Sequence, residues 1–431
     1  MEERETSDNR RSPAPEVEIL KSALSTDSVP QEILRMILDY SLPPEYLLDH
    51  SLACGPKSPW ACALRQKKSN VSVCKSWYSA RIEFLYRDVV LRRMNQAESF
   101  LQAILTRSRA LSELPRQLFV HFPPLIGLPE FPEQEQESQR RRIQSYIDTI
   151  IQTCPCLSCI GLSPALFSSQ SFTLVHHRDI TRLVLGNGNG INIFKAIPLF
   201  SDTCRFLTSL SFYAHELSDI PTDLHFTNLV TLHLKTQPSS IGYLLEIVIH
   251  WKMRKLQHLT VQHESLGFAR EPLRRFLARR GRNLRTLSFN PVAFASRSVS
   301  SPQDIAMQTM LDSCPSLEHL VIYTIPQAKL SHPSIKWLDI WLCETYPSVP
   351  SKADLGDRLP SLQLVRILDT ALSELTDLPI LIPPKACIDG DSEVTLTFSY
   401  PGLDIRYANG HLWRADAKLW ENEDDEIAGI E

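Results

Sequence analysis

Four stretches of this chain carry residue types that could do chemistry. The first is "GNGNG" (186–190), which follows the strand-like "ITRLVL" and precedes "INIFKAI". A phosphate-binding glycine loop would occupy such a place. The spacing is G-x-G-x-G, however, and no Lys-Ser/Thr follows, so it reads as a tight turn leaving a strand. The second is "CPCLSC" (154–159), which brings Cys154, Cys156 and Cys159 together. A zinc site needs four ligands, usually as two separated pairs. No matching pair is evident, and Leu157 and Ile160 are interleaved as core, so buried thiols are expected. The third, His176-His177, has no carboxylate at metal-ligand spacing and reads as an exposed turn. The fourth, "REPLRRFLARRGRNLR" (270–285), holds seven arginines. It could dock an acidic or phosphorylated segment, because Arg pairs bidentately with carboxylate and phosphate. The adopted reading is the solvated outer face of a helix, with Arg279 and Arg280 favoured by its dipole. Neither H-E-x-x-H nor G-x-S-x-G occurs, and scattered Ser, His and Asp nominate no triad. The expectation is a protein that is not an enzyme, with no cofactor and no metal.

The totals bound what could position such residues. The 431 residues predict two or more structural units. Gly is scarce at 14 and Pro plentiful at 30, which suggests repeated element boundaries and not flexible linkers. The net charge of −4 argues against a whole-protein nucleic-acid or membrane role. The ten cysteines lack framework spacing, the polar N-terminus is no secretory signal, and "IGYLLEIVIHW" (241–251) is too short to span a bilayer. A cytoplasmic or nuclear location is expected.

A recurring apolar-x-x-apolar-x-apolar pattern settles the expected architecture. The sets are Leu157/Ile160/Leu162, Ile180/Leu183/Leu185, Leu207/Leu210/Phe212, Leu229/Leu232/Leu234, Leu256/Leu259/Val261, Leu284/Leu287/Phe289, Leu317/Leu320/Ile322, Ile335/Leu338/Ile340 and Leu362/Val365/Ile367. Their first members lie 23, 27, 22, 27, 28, 33, 18 and 27 residues apart, mostly within the roughly 20–29 of leucine-rich repeats. Positions two apart in a strand share a face, so the last two residues of each set point one way. One short strand cannot bury that face; stacking many into a parallel sheet can. Helical spacing over 139–154, 271–281 and 302–314 supplies returns, with Gly281 read as a C-terminal cap. Entries such as "CPSL" (314–317) and "LPSL" (359–362) use proline to end the preceding element. The 18-residue step from 317 to 335 leaves no room for a full helix, and the sets lack the asparagine of regular repeats, so the solenoid is irregular. "RQLFVHF" (116–122) reads as an earlier, degenerate strand.

The expected organisation is a disordered N-terminus (1–27), a helical module (28–92), a connecting helix (93–113), the solenoid (114–370), a C-terminal β cap (371–418) and an acidic tail (419–431). The cap rests on strand-like runs broken by Pro401-Gly402 and Asn409-Gly410, which look like hairpin turns.

In the helical module, "SVPQEILRMILDY" (28–40) predicts a helix capped by Ser28, with Gln31 as its reciprocal partner and Pro30 in the first turn. Ile33, Leu34, Ile37 and Leu38 form one broad apolar face, which Met36 and Tyr40 extend. "VCKSWYSARIEFLYRDVVL" (73–91) adds a second helix ending in a strand-like "DVVL". Residues 41–69 are read as an inserted helix and loop. The segments "VPQEIL" and "VCKSW" with the downstream "FLYRDVVL" resemble the F-box motif, especially that of mushroom-type fungi. The resemblance covers roughly residues 28–92.

The resemblance implies a small all-α F-box module followed by an α/β leucine-rich-repeat solenoid, with a parallel sheet and helices or loops on the convex side. It implies docking on the Skp-type adaptor of a cullin–RING ubiquitin ligase through Pro30, Ile33, Leu34, Ile37, Leu38, Val73, Cys74 and Trp77. It also implies an unidentified protein substrate on the concave face, through strand positions such as Ser209, Thr231, His233, His258, His319 and Trp337. Four large side chains buried on a partner contribute on the order of 1.5–3 kcal/mol each, much of it offset by the cost of association. Neither a nucleic acid nor a membrane is an expected partner. The alternative is a non-catalytic repeat scaffold that binds a partner without ubiquitin transfer.

Overall fold

The structure is a computed structural model. It describes residues 29–43, 48, 58–106, 109–121, 133–162, 180–185, 204–214, 220–236, 240–262, 270–290, 304–322, 330–341, 355–369, 372, 396–400, 403–408 and 410–414. The glycine loop at 186–190, His176-His177, the N-terminal 1–27 and the acidic tail 419–431 lie outside the described residues.

Three helices come first: α1 (Gln31–Tyr40), α2 (Pro59–Val71) and α3 (Lys75–Arg87). The Ser28 cap is corrected. Ser28 lies outside the described residues, Pro30 occupies the N-cap position, and no side chain caps the helix. Proline suits that place because its missing N–H would be unsatisfied there in any case. The inserted helix expected within 41–69 is α2; Ser58 caps it by accepting a hydrogen bond from the Ala61 N–H, with Pro59 at its first position. Leu34, Leu38 and Ala80 form a small core, with Val29 and Trp77 packed against it.

α3 passes without a linker into β1 (Asp88–Leu91), which pairs in parallel with β2 (Gln117–Val120). "DVVL" is therefore the first strand of the long sheet and not the end of a separate module, so the sheet begins at 88 and not at 114. The connecting helix is α4 (Met94–Thr106), followed by the short α5 (Arg109–Ser112). Ala97, Leu101 and Ile104 of α4 join the main core.

Each of the nine sets then delivers a strand. They are β3 (Cys159–Leu162), β4 (Arg182–Leu185), β5 (Ser209–Ala214), β7 (Thr231–Thr236), β9 (His258–Gln262), β10 (Thr286–Asn290), β11 (His319–Ile322), β12 (Trp337–Trp341) and β13 (Leu364–Leu368). All pair in parallel, in chain order, within one 14-stranded sheet. Equivalent leucines align across it: Leu183 with Leu210, Leu210 with Leu232, Leu232 with Leu259, Leu259 with Leu287, and Leu287 with Leu320. A slip of one residue would turn every apolar side chain to the wrong face, so this pattern fixes the register. The first residue of every set is buried, from Leu157 to Leu362. A two-stranded side sheet of β6 (His225–Phe226) and β8 (Lys252–Met253) brackets Trp251, whose indole N–H donates to the Pro221 carbonyl.

Return helices appear where the sequence has room: α6 (Glu133–Thr153), α7 (Ile241–Val248), α8 (Arg270–Arg280) and α9 (Asp304–Asp312). No helix occurs among the described residues between β11 and β12, where the spacing is shortest. Gly281 does not cap α8 in the left-handed region. It opens a 3-10 turn, Gly281–Asn283, and a Cβ there would meet the Ser313 carbonyl at 2.5 Å and the Cys314 sulfur at 2.7 Å. Glycine is needed for close approach and not for a turn.

At the far end, β14 (Leu396–Tyr400), β15 (Leu403–Ala408) and β16 (His411–Arg414) form an antiparallel meander. β16 continues the sheet parallel to β13. Gly410 takes φ +79°, as the Asn-Gly turn requires; Pro401, Gly402 and Asn409 lie outside the described residues. The fold is thus a mostly parallel α/β sheet with helices, solenoid-like in its order.

The strand entries are tied together by hydrogen bonds. The carbonyl before each strand receives two N–H groups from the next coil: Gln257 from Arg285 and Thr286, and Arg285 from Glu318 and His319. Side chains add rungs. Asn228 Nδ2 donates to the Arg205 carbonyl at 2.9 Å, Asn283 Nδ2 to that of Arg254 at 3.2 Å, and Ser361 Oγ to that of Pro333 at 2.6 Å. These residues immediately precede the first apolar residue of a set and bond coil to coil, where the sequence lacks the asparagine of regular repeats.

Candidate functional site

The N-terminal helices hold the most conspicuous exposed apolar surface. On α1, Ile33, Met36, Ile37 and Tyr40 are 47%, 54%, 55% and 80% exposed, and Val73 before α3 is 56% exposed. Their positions form i, i+3, i+4, i+7 spacing along one stripe of α1. The broad face expected from the sequence is therefore two faces. Leu34 and Leu38 turn inward onto Ala80 and Trp77 and are corrected from outward contacts to module core. Ile33 and Ile37 sit one residue earlier, rotated about 100° away. Pro30 is exposed, while Cys74 and Trp77 are half-buried. Cys74 is also the residue that opens α3.

Beneath this face, the Arg81 guanidinium lies 4.2 Å from the centre of the Trp77 ring and is itself buried. That burial pushes its pKa down to about 10. The module is anchored to the sheet through Asp88, whose carboxylate accepts from Lys67 of α2 at 3.1 Å. Arg92, just after β1, stacks over Trp60 of α2 at 3.9 Å.

The substrate-binding candidates fall on the other face of the long sheet, and the structure separates them. Ser209, Thr231, His258 and Trp337 are half-buried. His233 and His319 are buried and are corrected from open contact positions. The physical reason is a polar network inside the fold. His319 Nε2 lies 2.8 Å from Asp339 Oδ2, and Arg366 donates through Nε to Oδ1 at 2.8 Å and through Nη2 to Oδ2 at 2.6 Å. Asp339 and Arg366 are fully buried. Burial alone would raise the Asp339 pKa, but Arg366 and His319 outweigh it and hold the carboxyl well below the usual carboxylate range. Ser211 Oγ similarly meets His233 Nδ1 at 3.2 Å.

A groove of about 630 Å³ opens instead along the strand entries of β9 to β13. Arg254, Lys255, Arg285, Glu318 and Lys336 line it with several serines. Sequence reasoning about strand positions pointed past this edge. The signal was the polar residue before each first apolar one, as at Lys255, Asn283, Ser316 and Ser334.

Three of the seven arginines in the arginine-rich stretch are committed to this chain's own groups. Arg274 pairs with Glu271, Arg275 with Glu246, and Arg280 donates to the Trp251 carbonyl. Cys154 and Cys159 are buried and Cys156 half-buried. No cluster of three or more His, Cys, Asp or Glu fit to hold a metal occurs among the described residues. Nor is any described helix long and apolar enough to cross a membrane.

No protein-family profile matches the sequence, and no curated protein matches it. Among solved structures, a Bacteroides fragilis structural-genomics target is similar over 65% of this chain and 73% of its own, at 12% identity and a TM-score of 0.33.

Proposed function

We propose that this chain is a non-catalytic substrate receptor of an SCF-type ubiquitin ligase. Its N-terminal helices act as an F-box that docks on a Skp-type adaptor and, through it, a cullin. The sheet, read as an irregular leucine-rich-repeat domain, holds a protein substrate. The observation that carries this reading is the exposed row Ile33, Met36, Ile37 and Tyr40, set apart from the main core on a helix with the F-box-like sequence. Monomer surfaces rarely leave several large apolar side chains contiguous unless another molecule covers them.

The test is co-purification of the full chain with a Skp-type adaptor. Burying an isoleucine contributes on the order of 2 kcal/mol, and burying an unpaired carboxylate in its place costs more. Ile37→Asp should therefore weaken adaptor affinity by at least about a hundredfold. Tyr243→Ser, an exposed aromatic on α7, should leave it unchanged. Ile37→Asp is cleaner than a change at Trp77, which supports the module core. Equal adaptor recovery by wild type and Ile37→Asp would remove the docking assignment.

A further inference from the structure

We infer that the groove along the strand entries of β9 to β13 binds an acidic peptide segment, lying across the strands. This rests on the receptor reading, because the segment would belong to the protein presented for ubiquitin transfer. It differs from the strand-face positions that the F-box resemblance implies.

Three cations carry the inference. Arg254 and Arg285 have no acidic partner among the described residues, and Lys255 donates only to the neutral Asn228 amide, at 2.7 Å. Arg254 and Lys255 lie on one coil and Arg285 on the next, and neighbouring strands are spaced about 4.8 Å apart. The three charges thus occupy two neighbouring coils at the β9–β10 end of the groove. A run of carboxylates in an extended peptide matches that spacing, and guanidinium groups receive carboxylates bidentately. The floor is fixed. The Arg254 carbonyl is held by Asn283, and Ser334 Oγ donates to the Pro315 and Leu317 carbonyls at 3.0 and 2.9 Å. A groove whose backbone is cross-linked coil to coil loses little freedom when it binds.

Glu318, on the coil next to Arg285, sets the limit. It pairs with Lys336 at 3.4 Å, and both are partly exposed. Its carboxylate repels an acidic ligand and so confines the acidic residues to the Arg254–Arg285 half.

The experiment is fluorescence anisotropy of the full-length protein with a labelled peptide of six alternating Glu and Asp residues. A Gln/Asn peptide of equal length and a single-stranded oligonucleotide of equal charge serve as comparators. Wild type should bind the acidic peptide, with affinity that falls as salt rises, and should not bind the neutral one. Arg254→Glu with Arg285→Glu should weaken binding by at least about tenfold, since two attractions become repulsions. Glu318→Gln should tighten it severalfold, a gain that misfolding cannot produce. Binding of the acidic peptide unchanged by the double reversal would overturn the inference, as would equal or tighter binding of the oligonucleotide or no binding by wild type. Adaptor co-purification of the same variants separates the two readings. The groove can fail while the adaptor is retained, and loss of the adaptor through Ile37→Asp should leave peptide affinity unchanged.

Discussion

Arg366→Leu tests whether the sheet interior depends on one charged network. The Asp339 carboxylate is fully buried and takes two hydrogen bonds from Arg366 and one from His319. Removing the guanidinium leaves a buried carboxylate without its counter-charge, which costs about 3–5 kcal/mol. Removing Asp339 as well eliminates that charge. What remains is the unsatisfied His319 donor, at about 1–3 kcal/mol. Urea unfolding at pH 7, followed by the fluorescence of Trp337 and Trp341 on the neighbouring strand, should therefore show Asp339→Leu with Arg366→Leu less destabilised than Arg366→Leu alone. The pH dependence should also reverse. In the wild type the folded carboxyl titrates below its unfolded value near 3.9, so its stabilisation is complete above about pH 4 and is lost as acid protonates it. In Arg366→Leu burial dominates and raises the folded value, so acidification from pH 7 towards 4 should restore stability. A cost below 1 kcal/mol for Arg366→Leu, or a double variant as unstable as the sum of the singles, would refute the coupling.

Three further outcomes follow from packing. Gly161→Val should destabilise by about 1–3 kcal/mol, because a Cβ there falls 2.2 Å from the Phe119 ring, and Phe119→Ala in that background should recover part of the loss on thermal unfolding. The Cys154 and Cys314 thiols are pushed up to about 12 by burial. They should resist a thiol reagent at pH 8 that modifies Cys62 or Cys74, and react only in urea; because their folded pKa exceeds the unfolded value near 8.5, the stability they lend is complete below that pH and declines above it. Asp88→Asn should lower the melting temperature by removing the counter-charge of the half-buried Lys67, and Lys67→Met should restore it in part.

The repeat strands were legible because each set combines two signals, the period-2 pair and the apolar residue that anchors its entry. β1 and β2 were legible only as a strand-like run and a degenerate strand, outside the nine sets. At the place of the aliphatic entry residue, "DVVL" is preceded by Tyr86 and "QLFV" by Pro115. The two faces of α1 were merged because a run of Ile33, Leu34, Ile37 and Leu38 spans more than one face of the helix; only packing on Ala80 and Trp77 shows which pair turns inward. The buried state of His319 was illegible for a related reason. Its acceptor is on one strand and that acceptor's counter-ion on the next, 20 and 47 positions further along the sequence.

The same geometry links the two halves of the proposed function. α3 ends at Arg87 and β1 begins at Asp88, so the helix on which α1 packs runs into the sheet without a linker. Asp88 closes that junction onto α2, Arg92 stacks on Trp60, and α4 buries three residues in the main core. A receptor that must hold one protein while docked on another gains from such continuity, because a stiff join limits where the bound segment can travel. A flexible insert between Arg87 and Asp88 should therefore leave adaptor recovery and acidic-peptide affinity each intact. It should lower the rate at which a tethered substrate is modified in a reconstituted ligase. An unchanged rate would show that the junction serves folding alone.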